Sequence, residues 1–342
     1  VASTTAQKIC TAVKTPFEID GHDIVVSASV GIALFPSDGR DASVLLRRAD
    51  TAMYRAKKKS SSYEFFEETM EASASEHLRF EGALRRALER GEFAVYFQPI
   101  AAASEGNVVG MEALVRWHHP SRGLVSPVEF IPLAEETGLI IPIGEWVLRA
   151  ACKQLKTWHD AGWPKLYVTV NLSGLQLQQT NLVETVRNVL RDTGLDPHCL
   201  ILEITESMLM EHVEETLLTL KALKATGVGL ALDDFGTGYS SLAYLKRFPV
   251  DVLKIDRAFI QDMADNADDV SIVQGIIALA HSLRLKVVAE GVETSKQHSY
   301  LVSLNCNLIQ GYLLSQPVPA EIFEANFNTG HWRLERPAHV QE

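Results

Sequence analysis

Residues 92–328 predict an α/β barrel of eight strands with an irregular start, and a smaller α/β piece precedes it. Two observations predict the barrel. From Glu92 onward, apolar strand-like runs alternate with longer amphipathic stretches, the pattern of a (β/α)-type barrel. The first two runs are joined by Ala101–Asn107 alone, whereas a parallel crossover needs about a dozen residues. Those two strands should therefore form an antiparallel hairpin.

The elements follow in order. In residues 1–65, Val25–Ala33 alternates and is rich in β-branched residues, so it reads as a strand. Pro36-Ser37-Asp38-Gly39 is a turn. Ala42–Lys59 carries Leu45, Leu46, Ala49, Ala52, Met53 and Ala56 on a helical stripe that ends in a basic run. A bridging helix follows within residues 66–91, with Ser75 as its cap, Leu78, Leu84 and Leu88 on one side and Gly91 as its stop. The eight barrel runs are Phe93–Ile100, Val108–Trp117, Leu166–Leu172, Leu200–Thr205, Val228–Leu232, Val250–Ile255, Lys286–Ala289 and Leu308–Leu314. Amphipathic helices are expected at Val213–Thr226 and Val270–Leu283, and residues 329–342 form a tail.

Composition narrows the function. The 342 residues are 46% hydrophobic and 22% charged, ordinary for a globular chain. The net charge of −11 gives no footprint for a nucleic acid polymer or an anionic membrane. A small phosphate ligand stays open, because one metal ion inverts the local field. Cys10, Cys152, Cys199 and Cys306 show no metal-ligand spacing and suit a reducing, cytoplasmic setting. No apolar run is long enough for a membrane span. The chain starts at Val1 rather than Met and reads as part of a longer protein, in which any membrane anchor would lie elsewhere.

In such barrels, ligands gather at the C-terminal ends of the strands. The runs lead into Asn171, Glu203 and Glu206, Asp233 and Asp234, Lys254 and Asp256, Glu290 and Glu293, and Gln310, while the second run carries Glu112. From Asn171 to Gln310 the steps are 20 to 36 residues, one strand–helix unit each. A single acid at a strand end is most often a helix cap or a solvated loop residue. Convergence of this many is different, because buried, unpaired carboxylates repel. A divalent cation removes that cost, and an oxygen-only donor set favours Mg²⁺ or Mn²⁺ over Zn²⁺. The adjacent pair Asp233-Asp234 can reach two neighbouring ions, which suits in-line displacement at phosphorus. Lys254 could orient water or form an ordinary salt bridge to Asp256 or Asp233. Arg116 suits a phosphate oxygen or a structural clamp. The stretch Phe235–Ser241 has two glycines and could gate the site, but it lacks the GxxxxGK[ST] of a P-loop.

These residues fall into a known order. Tyr96-Phe97-Gln98-Pro99-Ile100 is followed by Glu112-Ala113-Leu114-Val115-Arg116-Trp117, Asn171-Leu172-Ser173 and Glu203-Ile204-Thr205-Glu206. Then come Asp233-Asp234-Phe235-Gly236-Thr237-Gly238, Lys254-Ile255-Asp256, Ala289-Glu290-Gly291-Val292-Glu293 and Gln310-Gly311-Tyr312. Over residues 76–328 the chain resembles the EAL domain, the bacterial phosphodiesterases of cyclic di-GMP. The resemblance implies a TIM-barrel-like (β/α)8 fold whose first strand runs antiparallel. It implies hydrolysis of cyclic di-GMP to linear pGpG at a site holding two Mg²⁺ or Mn²⁺ ions. Metal ligands fall on Glu112, Asn171, Glu203, Asp233 and Asp234. Lys254 contacts the attacking water, Glu290 supports catalysis, and Glu206 anchors the glycine loop. Gln98, Leu114, Arg116, Glu293 and Gln310 line the substrate groove. A complete ligand set points to an enzyme rather than a nucleotide receptor. Family members often pair, so a homodimer through the barrel is expected. Residues 3–65 resemble the C-terminal part of a GGDEF, or diguanylate cyclase, domain, through Ser29–Ala33, Pro36–Gly39 and Ala49–Lys57. The defining turn of that domain would lie upstream, so this segment is expected to be catalytically silent.

Overall fold

The structure is a computed structural model, and it describes residues 1–19, 22–59, 61–210, 212–236, 245–263, 266–332 and 334. The chain divides into two compact units, Val1–Arg86 and Ala87–Glu342.

In the first unit, helix Ala2–Val13 precedes a short antiparallel hairpin of Phe17–Ile19 with His22–Ile24. Strand Val30–Ile32 pairs in parallel with Tyr63–Phe65, and helix Ala42–Lys58 crosses between them. Asp41 starts that helix by accepting from the Ser43 backbone N–H at 2.8 Å. Ala52, Phe66 and Met70 form a small core against Ala33. Gly31 lets the helix lie close, since a Cβ there would stand 1.9 Å from the Ala49 carbonyl oxygen.

Two expectations need correcting here. The strand expected at Val25–Ala33 is only Val30–Ile32. Alternation was present, but a strand also needs a partner edge, and Tyr63–Phe65 reaches just three residues. The bridging helix is Glu68–Ala87, so Ser75 lies inside it instead of capping it. Met70, packed on Phe66 and Ala52, anchors the earlier start.

The second unit is the barrel. Its strands are β1 (Phe93–Ala102), β2 (Val108–His119), β3 (Tyr167–Asn171), β4 (Leu200–Thr205), β5 (Gly229–Phe235), β6 (Val252–Ile255), β7 (Lys286–Ala289) and β8 (Leu308–Gln310). They close a ring in sequence order, with β8 returning to β1. Every neighbouring pair from β2 to β8 is parallel. β1 is antiparallel to both β2 and β8, as the short connection requires.

Alternation decides what enters the lumen, because residues two apart share a face of a strand. Ile100, Ala231, Val252 and Val288 pack together as an apolar floor with Tyr167, Ile201 and Leu308. Gly110 gives Tyr167 its room, since a Cβ there would meet the ring at 2.5 Å. Two residues further along the same strands come Gln98, Thr169, Glu203, Asp233, Lys254, Glu290 and Gln310. A polar layer therefore sits directly on an apolar one. The opposite faces meet the helices: Phe97 lies 5.2 Å from Trp158 of helix Ile140–Asp160 and 6.1 Å from Phe323 of helix Ala320–Thr329.

Candidate active site

Sheet register brings the polar side chains level. Gln98 pairs with Glu112 across the hairpin, and Asn171 pairs with Glu203 across β3–β4. Glu112 accepts from Asn171 Nδ2 and from Gln310 Nε2, both at 2.6 Å. Gln310 Nε2 also donates to Gln98 Oε1 at 3.0 Å, and Gln98 Nε2 donates to the Ser315 carbonyl at 3.0 Å. This amide chain fixes the Glu112 carboxylate, whose orientation then depends on three other strands.

Lys254 is the centre of charge. It is 1% exposed. Its Nζ lies 2.6 Å from Glu290 Oε1, 2.8 Å from Glu203 Oε2, 3.3 Å from Asp233 Oδ1 and 3.6 Å from Glu112 Oε2. The sequence suggested Asp233 or Asp256 as its partner. Asp256 instead caps helix Arg257–Gln261 through the Ala258 backbone N–H.

The acids respond unequally to this crowding. Burial and the neighbouring Glu112 charge push Glu203 well above the usual carboxylate range. Burial above all, against the pull of Lys254, raises Glu290 to about 8. Burial, then Asp233 and Asp256, raise Asp234 to about 6. Burial opposes ionisation of Glu112 too, but Lys254 and the amides of Gln310 and Asn171 outweigh it and hold Glu112 low. One ammonium faces four carboxylates, so the lumen carries excess negative charge whenever they ionise.

These residues fit a hard divalent cation. Asp233, Asp234 and Glu290 each present an oxygen, all within 4.8 Å of one another. Glu203 Oε1 is buried without a hydrogen-bond partner. Carboxylate and amide oxygens, with no thiolate or imidazole among them, are the donor set of such ions. Asp234 holds its place with a left-handed backbone, φ 56°, a conformation short polar residues tolerate.

The remaining expected residues lie around this cluster. Glu206 is 2% exposed, and its Oε2 accepts from the Gly236 backbone N–H at 3.1 Å. Thr237–Ser241 of the glycine loop lies outside the described residues. Leu114 and Asn171 line a cavity of about 310 Å³ that continues along Pro127, Ile131 and Gly144. The half-buried Arg116 sits over the Tyr96 ring, 5.5 Å from its centroid. Glu293 is exposed, and its backbone N–H donates to Gln297 Oε1. Asp256 was missed as a neighbour of Asp234, although its position two residues past Lys254 placed it at the same rim. The sequence assigns no role to Tyr96 or Tyr312, because nothing in spacing tells a packed ring from a displayed one.

The sequence matches the family described as EAL domain over residues 81–317. The chain belongs to the EAL domain family. Residues 1–62 match the family described as diguanylate cyclase, GGDEF domain. Among similar proteins is the bifunctional diguanylate cyclase/cyclic di-GMP phosphodiesterase MucR of Pseudomonas aeruginosa, 49% identical over 94% of this chain and 47% of its own length. The cyclic di-GMP phosphodiesterase NbdA of the same organism is 44% identical over 93% of this chain and 41% of its own length. The chain thus spans about half the length, or less, of these curated relatives. A solved structure described as PaMucR phosphodiesterase, c-di-GMP complex, is 51% identical, with a TM-score of 0.69, and covers 71% of this chain and 98% of its own. The EAL barrel expected from the sequence is the barrel observed. Among the described residues, no helix is long and apolar enough to cross a membrane.

Proposed function

We propose that this chain is a metal-dependent phosphodiesterase that opens cyclic di-GMP to linear pGpG, lowering that messenger in bacterial signalling. One observation carries the reading: Glu112, Glu203, Asp233 and Glu290 surround Lys254 at one end of a closed barrel, with Asn171 and Gln310 fixing Glu112. Relatives at 40–49% identity that are named as cyclic di-GMP phosphodiesterases support it.

In this reading Glu112, Asn171, Glu203, Asp233 and Asp234 hold Mg²⁺ or Mn²⁺. Such ions neutralise charge on the attacking and leaving oxygens and make water acidic. Lys254, already held among the acids, orients the attacking water and offsets charge as it develops on the phosphate. Glu290, whose Oε1 lies 2.6 Å from Lys254 Nζ, supports that step by holding the ammonium in place. Arg116 binds a phosphate oxygen, and Gln98, Leu114, Glu293 and Gln310 line the groove. Glu206 positions the glycine loop through Gly236. The domain division we propose is a GGDEF-like remnant at 1–65, a linker at 66–91, the EAL barrel at 92–328 and a tail at 329–342. The barrel would work in the cytoplasm, as a homodimer.

The test is chromatographic. Purified chain with cyclic di-GMP and Mg²⁺ or Mn²⁺ should yield pGpG, and chelation should stop it. Binding of the nucleotide with no product under either metal would overturn the enzymic reading in favour of a receptor.

A further inference from the structure

Beyond the last ladder bond of β6 and β7, one buried amide rejoins the two chains. The ladder ends where the Glu290 backbone N–H donates to the Ile255 carbonyl at 3.1 Å. Gly291 then turns with φ 67°, so close to the neighbouring loop that a Cβ there would stand 2.5 Å from Arg257 Cβ. From this point the chain after β6 enters helix Arg257–Gln261, and the chain after β7 enters helix Ser295–Ser303. Gln297, 3% exposed, lies between them.

Both ends of its amide are used. The Oε1 atom accepts from the backbone N–H groups of Glu293 at 2.8 Å and Thr294 at 2.9 Å. The Nε2 atom donates to the carbonyls of Ile260 at 3.0 Å and Gln261 at 3.2 Å. The acceptor half closes a capping box with Thr294 and so starts its own helix. The donor half reaches the C-terminal end of the other helix, where no further turn supplies N–H groups to those carbonyls. A cap needs only an acceptor, so the donor half serves the join. The two chains joined in this way carry Lys254 and Glu290, whose Nζ and Oε1 lie 2.6 Å apart.

We infer that Gln297 is a positioning residue: it pins the loop after β7 to the helix after β6, and so holds Glu290 against Lys254 for hydrolysis. This rests on the proposed phosphodiesterase reaction. Gln297 itself touches neither the substrate nor a metal ion in this account.

Two substitutions separate the join from the cap. Gln297→Met fills a similar volume and offers neither donor nor acceptor. Gln297→Glu, at about pH 8.5 where a carboxyl accepting two N–H bonds is ionised, keeps the acceptor and loses both donors. Steady-state release of pGpG with Mn²⁺ gives kcat and KM, equilibrium dialysis in EDTA gives the dissociation constant, and circular dichroism checks the fold. Displacing a reacting group by about 1 Å can cost about 100-fold, so both variants should lower kcat by roughly tenfold or more, with KM and the dissociation constant within about threefold. In a Glu290→Gln background, Gln297→Met should cost less than about twofold, because the pair it serves is already broken. A Met variant with wild-type kcat overturns the inference. So does a Glu variant with wild-type kcat, which would leave Gln297 as a cap of its own helix. A full Met penalty in the Glu290→Gln background overturns it too, since the effect would run through another group. Where the Met variant fails to fold, the Glu variant decides, because it keeps the cap. The two readings fail separately. A wild type that releases no pGpG overturns the enzymic reading and this inference with it, whereas a wild type that hydrolyses beside unimpaired variants overturns this inference alone.

Discussion

The two units solve the problem of strand edges in opposite ways. In Ala87–Glu342, eight strands close on themselves and each is paired on both sides. In Val1–Arg86, each described strand has one partner, in two separate two-stranded sheets. Val25, Val26, Leu34, Phe35 and Leu46 stay exposed there. Charge divides just as sharply. The first unit has 12 acidic and 12 basic residues, so the whole net charge of −11 lies in residues 87–342. Closure is what lets the second unit hold four of its acids around one buried lysine. A ring holds carboxylates from opposite strands at fixed distances from one lysine, and an open pair of strands offers no such enclosure.

The sharpest way to break this comparison is to remove an acid from the ring. Glu112→Ala should abolish metal binding and cut turnover by more than about 100-fold, since even an indirect metal partner costs 10–100-fold when lost. Titration with Mn²⁺ and pGpG release measure both, and a near-normal rate would place the metal site elsewhere. Lys254→Ala should come next. It leaves four acids without their cation, a loss of about 3–5 kcal/mol for a broken buried pair. Melting in EDTA should show that loss, and in Mn²⁺ kcat should fall far more than KM changes.

Gly31→Ala addresses the other unit. The added methyl strikes backbone atoms of Ala49 and Met53, and overpacking of this kind costs about 3 kcal/mol. Limited proteolysis should open residues 1–65 first while hydrolysis by the barrel persists. Loss of hydrolysis would show that the units are not energetically separate. The last test varies pH and changes no residue. Glu290 titrates at about 8 when folded, against an ordinary 4.5. The folded chain keeps a proton that the unfolded chain releases, so stability in EDTA falls as pH rises from about 4.5 to about 8. Glu203, also raised, acts with the same sign. Melting temperatures across that range should decline in EDTA and flatten with Mn²⁺.

Much of the barrel was legible because one rule governs it. Apolar runs alternating with amphipathic stretches located the eight strands, one short connection reversed the first, and the residues that follow the runs, with Glu112 within the second, pointed to one rim for Asn171, Glu203, Asp233, Lys254 and Glu290. What stayed hidden depended on contacts. Val25–Ser29 has strand-like residues but gains no partner among the described ones. Glu68–Ala74 joins the bridging helix because Met70 finds Phe66 and Ala52, which no local signal announces. The four-fold pairing of Lys254 required knowing which strands face each other across the lumen. Tyr96 packs under Arg116 while Tyr312 stands in solvent, a difference that no local pattern announces.

The reversed first strand has a consequence for how the chain folds. β1 and β2 meet across a connection of a few residues, so their pairing closes a short loop and can form within microseconds. The joint of β1 with β8 sets Ile100–Ala102 beside Leu308–Gln310 across some two hundred residues of chain and must await the rest of the ring. Gln98 and Gln310 touch only at that joint. The last seam to form is thus the one that steadies Glu112, and a chain halted short of closure lacks both its final strand pairing and the amide contacts that fix that carboxylate.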